Sequence, residues 1–350
     1  LTALTRYKLR KVLKYGLVTV LVASAFALYS GEAPGAWLGA WLLLGLWTGV
    51  LEEFLFGRRY RALAIPLQVL GKVVLVNLLT LGLLAMVLWM GLERHEQGIT
   101  RSTGAPQQVR DLFATLGFYQ VLLRVVLVTT IALLVVQIEE LLGRRMFVGL
   151  LLGRFDRPKA EQRIVLLMDL VGSTALAERM GDLRYYRFLN ATYSLLTDAV
   201  LRNEADIHKY VGDEVILTWP LKVGARDANC LDLYFDAMER LHAHAEELRG
   251  EFGTVPRFRA ALHGGRVIAA QVGHIKRSIE LSGDVMNSAS RMLGLAKEMD
   301  EGLLVSAELL ARLPGVPDRF EVGPQSIVPV KGRRREVRVH ALRRLRGPAE

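Results

Sequence analysis

A chain of 350 residues has room for two cores, and a hydrophobic content of 51% is high for a wholly soluble protein. The net charge of +10 is uneven: residues 1–160 carry 18 Lys+Arg against 9 Asp+Glu, and the remainder 27 against 26, so the basic excess lies in the apolar half. That placement reads as membrane flanks and excludes a nucleic-acid surface, while the single cysteine, Cys230, excludes an internal disulfide and reads as a small core hydrophobe.

The chain starts at Leu1 without a Met, and an incomplete N-terminus is expected. Apolar segments at 15–30, 36–55, 66–90 and 116–137 approach or exceed the ~17–25 residues of a spanning helix. They predict a multi-pass α-helical membrane domain over 1–143 with four transmembrane helices, followed by a cytoplasmic linker over 144–162. The basic run Arg6, Lys8, Arg10, Lys11 and Lys14 precedes the first segment with no small-residue cleavage site, which predicts an anchor and not a signal peptide. Arg58, Arg59 and Arg61 join spans two and three, and Arg144, Arg145, Arg154, Arg157 and Lys159 follow span four. By the positive-inside rule both termini are then cytoplasmic, in a protein of the inner membrane. Lys72, Asn77 and Arg124 fall in or near the spans. Lys72 and Arg124 read as side chains snorkelling to an interface, with a pore or ligand site as the functional alternative. Glu52, Glu53, Glu139 and Glu140 read as interfacial.

After the Gly-, Pro- and charge-rich stretch 153–163 the pattern changes to short strands and amphipathic helices. The predicted elements are a strand at 164–170, a helix at 183–203, a hairpin at 207–219, a helix at 225–249, strands at 258–262, 267–272 and 278–281, and a helix at 284–297. A strand at 303–306, a short helix at 308–313 and strands at 320–322 and 337–342 complete the chain. Strand, helix, hairpin, helix, strand is a split βαβ arrangement, which predicts an α+β sandwich with helices on one face of a mainly antiparallel sheet. Gly212-Asp213 lies between two β-prone runs, so Asp213 is expected at a hairpin tip. Asp169 ends the apolar run IVLLMDL. If the two strands are neighbours, both carboxylates project from one edge, as oxygen ligands for Mg²⁺ do. His208 and His263 read as strand-packing histidines.

MDLVGST at 168–174, HKYVGDEV at 208–215, SGDVMNSASR at 282–291 and VKG at 330–332, in this order, resemble the class III nucleotidyl cyclase domain; the resemblance covers 163–342 and implies a catalytic domain over 163–345. LGRFDRPKAEQR ahead of the domain and ILTWP closing the hairpin further resemble the bacterial membrane-anchored adenylate cyclases. The resemblance implies a ferredoxin-like α+β fold and a lyase reaction in which the 3′-hydroxyl of ATP attacks its own α-phosphate, giving 3′,5′-cyclic AMP and pyrophosphate. It implies Asp169, Asp213 and the carbonyl of Leu170 as ligands of two Mg²⁺, with Mn²⁺ able to substitute, and Gly172, Ser173 and Thr174 as a phosphate-binding helix start. It further implies Asn287 and Arg291 as the transition-state pair, Lys331 on the terminal phosphates, and Lys209 with Glu280 reading the base. Since the family sets the metal carboxylates against the other groups across a subunit boundary, a homodimer with composite sites in a lipid bilayer is implied. Glu280 departs from the Asp or Thr of adenylate-specific members and leaves cyclic CMP, UMP or GMP open as products. A diguanylate cyclase and a membrane receptor with a degenerate cyclase domain are the remaining alternatives.

Overall fold

The computed structural model describes residues 3–31, 38–55, 67–68, 70–82, 116–153, 157–273, 278–328 and 336–345. The chain divides into two compact units, Leu1–Leu151 and Leu152–Glu350. Lys331, the end of the predicted third span, the segment 92–115 and the side chains of Arg58, Arg59, Arg61 and Arg154 lie outside the described residues.

The first unit is helical, with helices Ala3–Tyr29, Leu38–Leu55, Leu70–Gly82 and Leu116–Leu142, then a short amphipathic helix, Arg144–Leu151. Among the described residues, Ala3–Tyr29 and the stretch Tyr119–Glu140 are long and apolar enough to cross a membrane. The first two helices approach closely: a Cβ on Gly45 would lie 2.7 Å from the Gly16 Cα. Small residues at such a crossing let backbones meet where hydrophobic sorting offers little.

One end of these helices carries a layer of ion pairs. Lys8 donates to Glu53 at 3.0 Å, Lys11 to Glu140 at 2.7 Å, Lys14 to Glu139 at 2.8 Å and Lys72 to Glu52 at 2.5 Å. This corrects two expectations. Lys72 does not snorkel but is 8% exposed, and Glu52 and Glu139 are buried at 4% and 7% and not interfacial. The physical reason is reach: a lysine one turn inside a helix end finds a carboxylate on the neighbouring helix sooner than it finds solvent, and a buried charge persists only when paired. Arg124 instead lies over the Phe26 ring at 5.8 Å, and the Thr129 hydroxyl donates to Asn77 at 2.9 Å.

In the second unit the described strands form one eight-stranded sheet. These are β1 (Lys159–Leu170), β2 (Asp206–Val211), β3 (Glu214–Pro220), β4 (Phe258–Val272), β5 (Ser278–Ser282), β6 (Leu303–Ser306), β7 (Phe320–Val328) and β8 (Val337–Arg344). The order is β2-β3-β1-β4-β6-β8-β7 with β5 on β4, and β4–β6 is the parallel pair. The β2-β3-β1-β4 portion is the expected split βαβ core.

Helices cover both faces of this sheet, which corrects the one-face expectation. Ile164, Leu166, Met168 and Leu170 pack with helices Asp182–Arg202, Asn229–Ala243 and Ala245–Phe252. Val165 and Leu167, on the other face, pack with Val285, Ala289, Met292 and Leu293 of helix Asp284–Met299. A strand buried on both faces reads as a continuous apolar run and not an alternating one, which is what IVLLM is. Each such side chain contributes about 1.5–3 kcal/mol relative to exposure, so this run holds β1 at the centre of the sheet.

The two strands expected at 258–262 and 267–272 are one continuous β4. Gly264 and Gly265, which look like a turn signal, sit inside it as packing positions. A Cβ at either would lie 2.8 Å from a side-chain methyl, Leu309 Cδ1 or Val285 Cγ2, on opposite faces of the strand. The helix expected at 225–249 is broken, with left-handed backbone at Asp227 (φ 52°) and Ala228 (φ 56°) before it restarts at Asn229. Cys230 is buried, and burial pushes its thiol up to about 12, in keeping with a core hydrophobe. His263 is also buried, with Nδ1 2.7 Å from the Ser306 hydroxyl, a packing role as expected.

Candidate active site

β1 and β3 run antiparallel with Asp169 opposite Glu214, and the Gly212-Asp213 turn joins β2 to β3 just beyond that pair. Gly212 has φ 61°, the left-handed value that a tight hairpin turn demands of its first central residue and that glycine adopts without penalty. The Leu170 N–H donates to the Asp213 carbonyl at 3.3 Å, and the Val171 N–H to the Arg257 carbonyl at 2.8 Å. The hairpin tip is therefore bonded directly to the end of β1. Tyr193 adds a third tie by donating its hydroxyl to the Gly212 carbonyl at 3.2 Å.

This construction gathers negative charge. Glu214 is half-buried, and burial, then the charge of Asp169, pushes its carboxyl up, with Asp213 adding to the rise and Lys297 opposing it. Tyr185 and Tyr193 are raised by burial and then by Asp213, with Asp169 also contributing, so both stay protonated beside the carboxylates. One contact is cationic: Lys297 Nζ lies 2.6 Å from Asp169 Oδ2.

Gly172 takes φ 70° and starts helix Ser173–Met180, whose first turn has no side-chain cap. The Ser173 and Thr174 N–H groups are thus among the orphan donors of a helix start, an arrangement suited to phosphate oxygens. The expected donors Asp169, Asp213 and the Leu170 carbonyl are hard oxygens, the chemistry that Mg²⁺ and Mn²⁺ take. Among the described residues no group of three His, Cys, Asp or Glu side chains stands ready as a cation cage. Even so, a lysine ammonium on Asp169 and a raised Glu214 mark a place that draws positive charge, and the residues present fit a divalent cation.

A second cluster lies on β2 and β5. Lys209 Nζ donates to Glu280 at 2.7 Å, and the Ser278 hydroxyl to the other Glu280 oxygen at 3.1 Å. These bonds, Lys209 first, hold the Glu280 carboxyl below the usual carboxylate range, so it is an ionised acceptor at neutral pH. The pair joins strands that do not hydrogen-bond to each other, since β2 pairs with β3 and β5 with β4.

Asn287 and Arg291 share one face of helix Asp284–Met299, whose opposite face, Val285, Ala289, Met292 and Ala296, is buried. Lys297, in the last turn of the same helix, lies on the flank between that pair and the buried face. The sequence reading did not single out Lys297, Glu214, Tyr185 or Tyr193. Lys297 belongs to no motif and lies off the Asn287–Arg291 face, and the tyrosines lie on another helix, so none of them carries a local signal.

A profile described as the adenylate and guanylate cyclase catalytic domain matches residues 156–344, more than half of the chain. Adenylate cyclase 2 of Rhizobium meliloti (strain 1021) is 42% identical over 210 residues, which cover 59% of this chain and 57% of that protein. The adenylate cyclase of Anabaena cylindrica is 25% identical over 183 residues, covering 51% of this chain and 36% of the other. The chain thus spans little more than half, or less, of the curated relatives it matches. A solved structure of a bacterial light-regulated adenylyl cyclase superposes with a TM-score of 0.50 at 16% identity, covering 61% of this chain and 63% of the other, and shares the fold. On the strength of the matched domain, the chain belongs to the adenylate and guanylate cyclase catalytic domain family.

Proposed function

We propose that the protein is a membrane-bound adenylate cyclase that converts ATP to 3′,5′-cyclic AMP and pyrophosphate. The observation that carries this reading is the junction of β1 with the β2–β3 tip, where Asp169 and Asp213 flank one short hydrogen-bonded seam. Similarity to an adenylate cyclase at 42% identity supports the choice of reaction.

In this reading Asp169, Asp213 and the Leu170 carbonyl hold the divalent cations, which when bound acidify the 3′-hydroxyl and neutralise the triphosphate. The Ser173 and Thr174 N–H groups, with Gly172 giving close backbone approach, bind phosphate oxygens. Asn287 orients the ribose, and Arg291 donates to the α-phosphate as charge builds on it. Lys331 neutralises the terminal phosphates. Lys209 donates to adenine N1 and Glu280 accepts from the 6-amino group, a donor–acceptor order that guanine reverses. The Lys209–Glu280 pair has side chains 41% and 32% exposed, so the bond costs only about 0.2–1 kcal/mol to exchange for a base.

The sites are composite across a homodimer, and the helical unit is a multi-pass anchor of the inner membrane with the catalytic domain on the cytoplasmic side. The long apolar helices and the basic flanks support that placement. The test is incubation of detergent-solubilised protein with each of the four nucleoside triphosphates and Mg²⁺ or Mn²⁺, with the product identified by mass. Cyclic AMP from ATP is expected. A different cyclic nucleotide would reassign Glu280, and none at all would sink the reading in favour of a receptor with a degenerate cyclase domain.

A further inference from the structure

Helix Asp284–Met299 brings Lys297, an exposed residue of its last turn, into the carboxylate cluster. Its ammonium is 2.6 Å from Asp169 Oδ2, and its charge also acts on Glu214, the residue opposite Asp169 in the β1–β3 register. The Asp169 side chain is only 14% exposed while that of Lys297 is 47% exposed. The carboxylate is thus fixed by its strand, and the lysine, on a stem of four methylenes, is the partner free to move. An ammonium in close contact with a carboxylate oxygen opposes ligation of a divalent cation there, because the two positive centres would be brought within a few ångströms of each other.

We propose that Lys297 is a tethered counter-ion of the metal site: it holds Asp169 in the metal-free protein and is displaced when a divalent cation binds there. The inference rests on the reading of Asp169 as a metal ligand. It explains how a cluster of Asp169, Asp213 and Glu214 stays folded without metal. Lys297 cancels one of these charges until the cation arrives and, once displaced, remains near Glu214. The lysine therefore weakens metal binding and stabilises the empty site, so binding has to exceed a threshold set by the ion pair.

The experiment is a titration of the full-length, nucleotide-free protein with Mn²⁺, following free Mn²⁺ by its paramagnetic resonance signal. Lys297→Met is expected to bind Mn²⁺ about fivefold tighter than wild type, as loss of a half-exposed competing ion pair implies. Lys297→Gln should behave alike, and Lys297→Arg should stay near wild type. Asp169→Asn should lose the site. With a chelator present, Lys297→Met should melt at a lower temperature than wild type, and saturating Mn²⁺ should close the gap. Equal or weaker Mn²⁺ binding by folded Lys297→Met and Lys297→Gln, or Mn²⁺ binding that survives Asp169→Asn, overturns the proposal. Cyclic-nucleotide formation by wild type is scored separately, so a chain that binds Mn²⁺ as described yet makes no product would overturn the activity and not the counter-ion.

Discussion

Glu280 and Lys209 hold each other at 2.7 Å, so if they read the base, the substrate has to divide a ready-made pair between two neighbouring groups on one of its edges. In that reading Glu280→Ala removes the acceptor for the 6-amino group, and it leaves Lys209 without this partner. Its kcat/KM for ATP should fall by about 30- to 100-fold, the cost of one lost charged hydrogen bond to substrate, with a smaller change for CTP. Parallel initial rates on the two nucleotides check this. His263 gives a stability prediction instead. Burial lowers its pKa below the ordinary value of 6.5, with Arg312 acting in the same sense and Glu308 and Asp284 opposing. The unfolded chain therefore takes up a proton that the folded chain refuses. The stability this contributes is fully present above about pH 6.5 and is lost as pH falls through the lower folded value. Melting temperatures measured from pH 7.5 to 5 should fall more steeply for wild type than for His263→Gln. At this scale the sequence was informative: the spacing of the motifs located Asp169, Asp213, Asn287 and Arg291 on the elements where they are found. It was silent on Tyr193, because a tyrosine reaching a backbone carbonyl across helix and hairpin has no spacing to betray it.

Among the elements, the β2–β3 hairpin depends on one backbone angle. Gly212→Ala forces a side chain into left-handed backbone at φ 61°, which costs about 1–2 kcal/mol. We expect a matching loss in unfolding free energy by denaturant titration, together with a loss of cyclic product beyond what stability explains, since Asp213 moves with the turn. The ion-pair layer of the helical unit separates buried from exposed pairs. Lys72→Met leaves Glu52, 4% exposed, without its nearest partner and should cost about 3 kcal/mol. Lys8→Met, with a side chain 43% exposed, should cost under about 1 kcal/mol. Thermal unfolding in one detergent compares them directly. Elements were legible where a single cause sets the pattern, as in the hairpin and helix Asp284–Met299. They were misread where two causes give one signal. Gly264-Gly265 has the composition of a turn, yet the reason for it is the crowding of Leu309 and Val285 against the two faces of β4. The run IVLLM is continuous and not alternating, the mark of a strand covered on both faces, and the one-face expectation passed over it.

For the whole molecule, composition separated an apolar basic half from a charge-balanced one, and the chain does divide into two compact units. The pairing of Lys72 with Glu52 could not be read because it depends on helix neighbours that are distant in sequence. If the catalytic sites are composite, Asp169→Ala and Asn287→Ala proteins, each inactive alone, should recover activity on mixing. The expected level is about a quarter of wild type, since about half of randomly formed dimers are mixed and each has one intact site of two. Dimers that form without recovery would sink the cross-chain assignment. Removal of residues 1–150 from a chain held as a dimer should leave full activity if the helical unit serves only to concentrate and pair catalytic domains.

Asp169 ends a strand with a partner on each edge and helices over each face, whereas Lys209 and Glu280 sit on β2 and β5, each bonded to a single neighbour. Amide hydrogen exchange should resolve this as two tiers. The Ile164, Leu166 and Met168 amides should exchange only through global opening, and those of β2 and β5 through smaller, more frequent openings. The groups that would grip the metal are thus anchored in the last part of the domain to open, and those that would choose the base in one of the first. If those roles hold, recognition of the nucleotide can change over evolutionary or thermal fluctuation without disturbing the seam that would hold the metal.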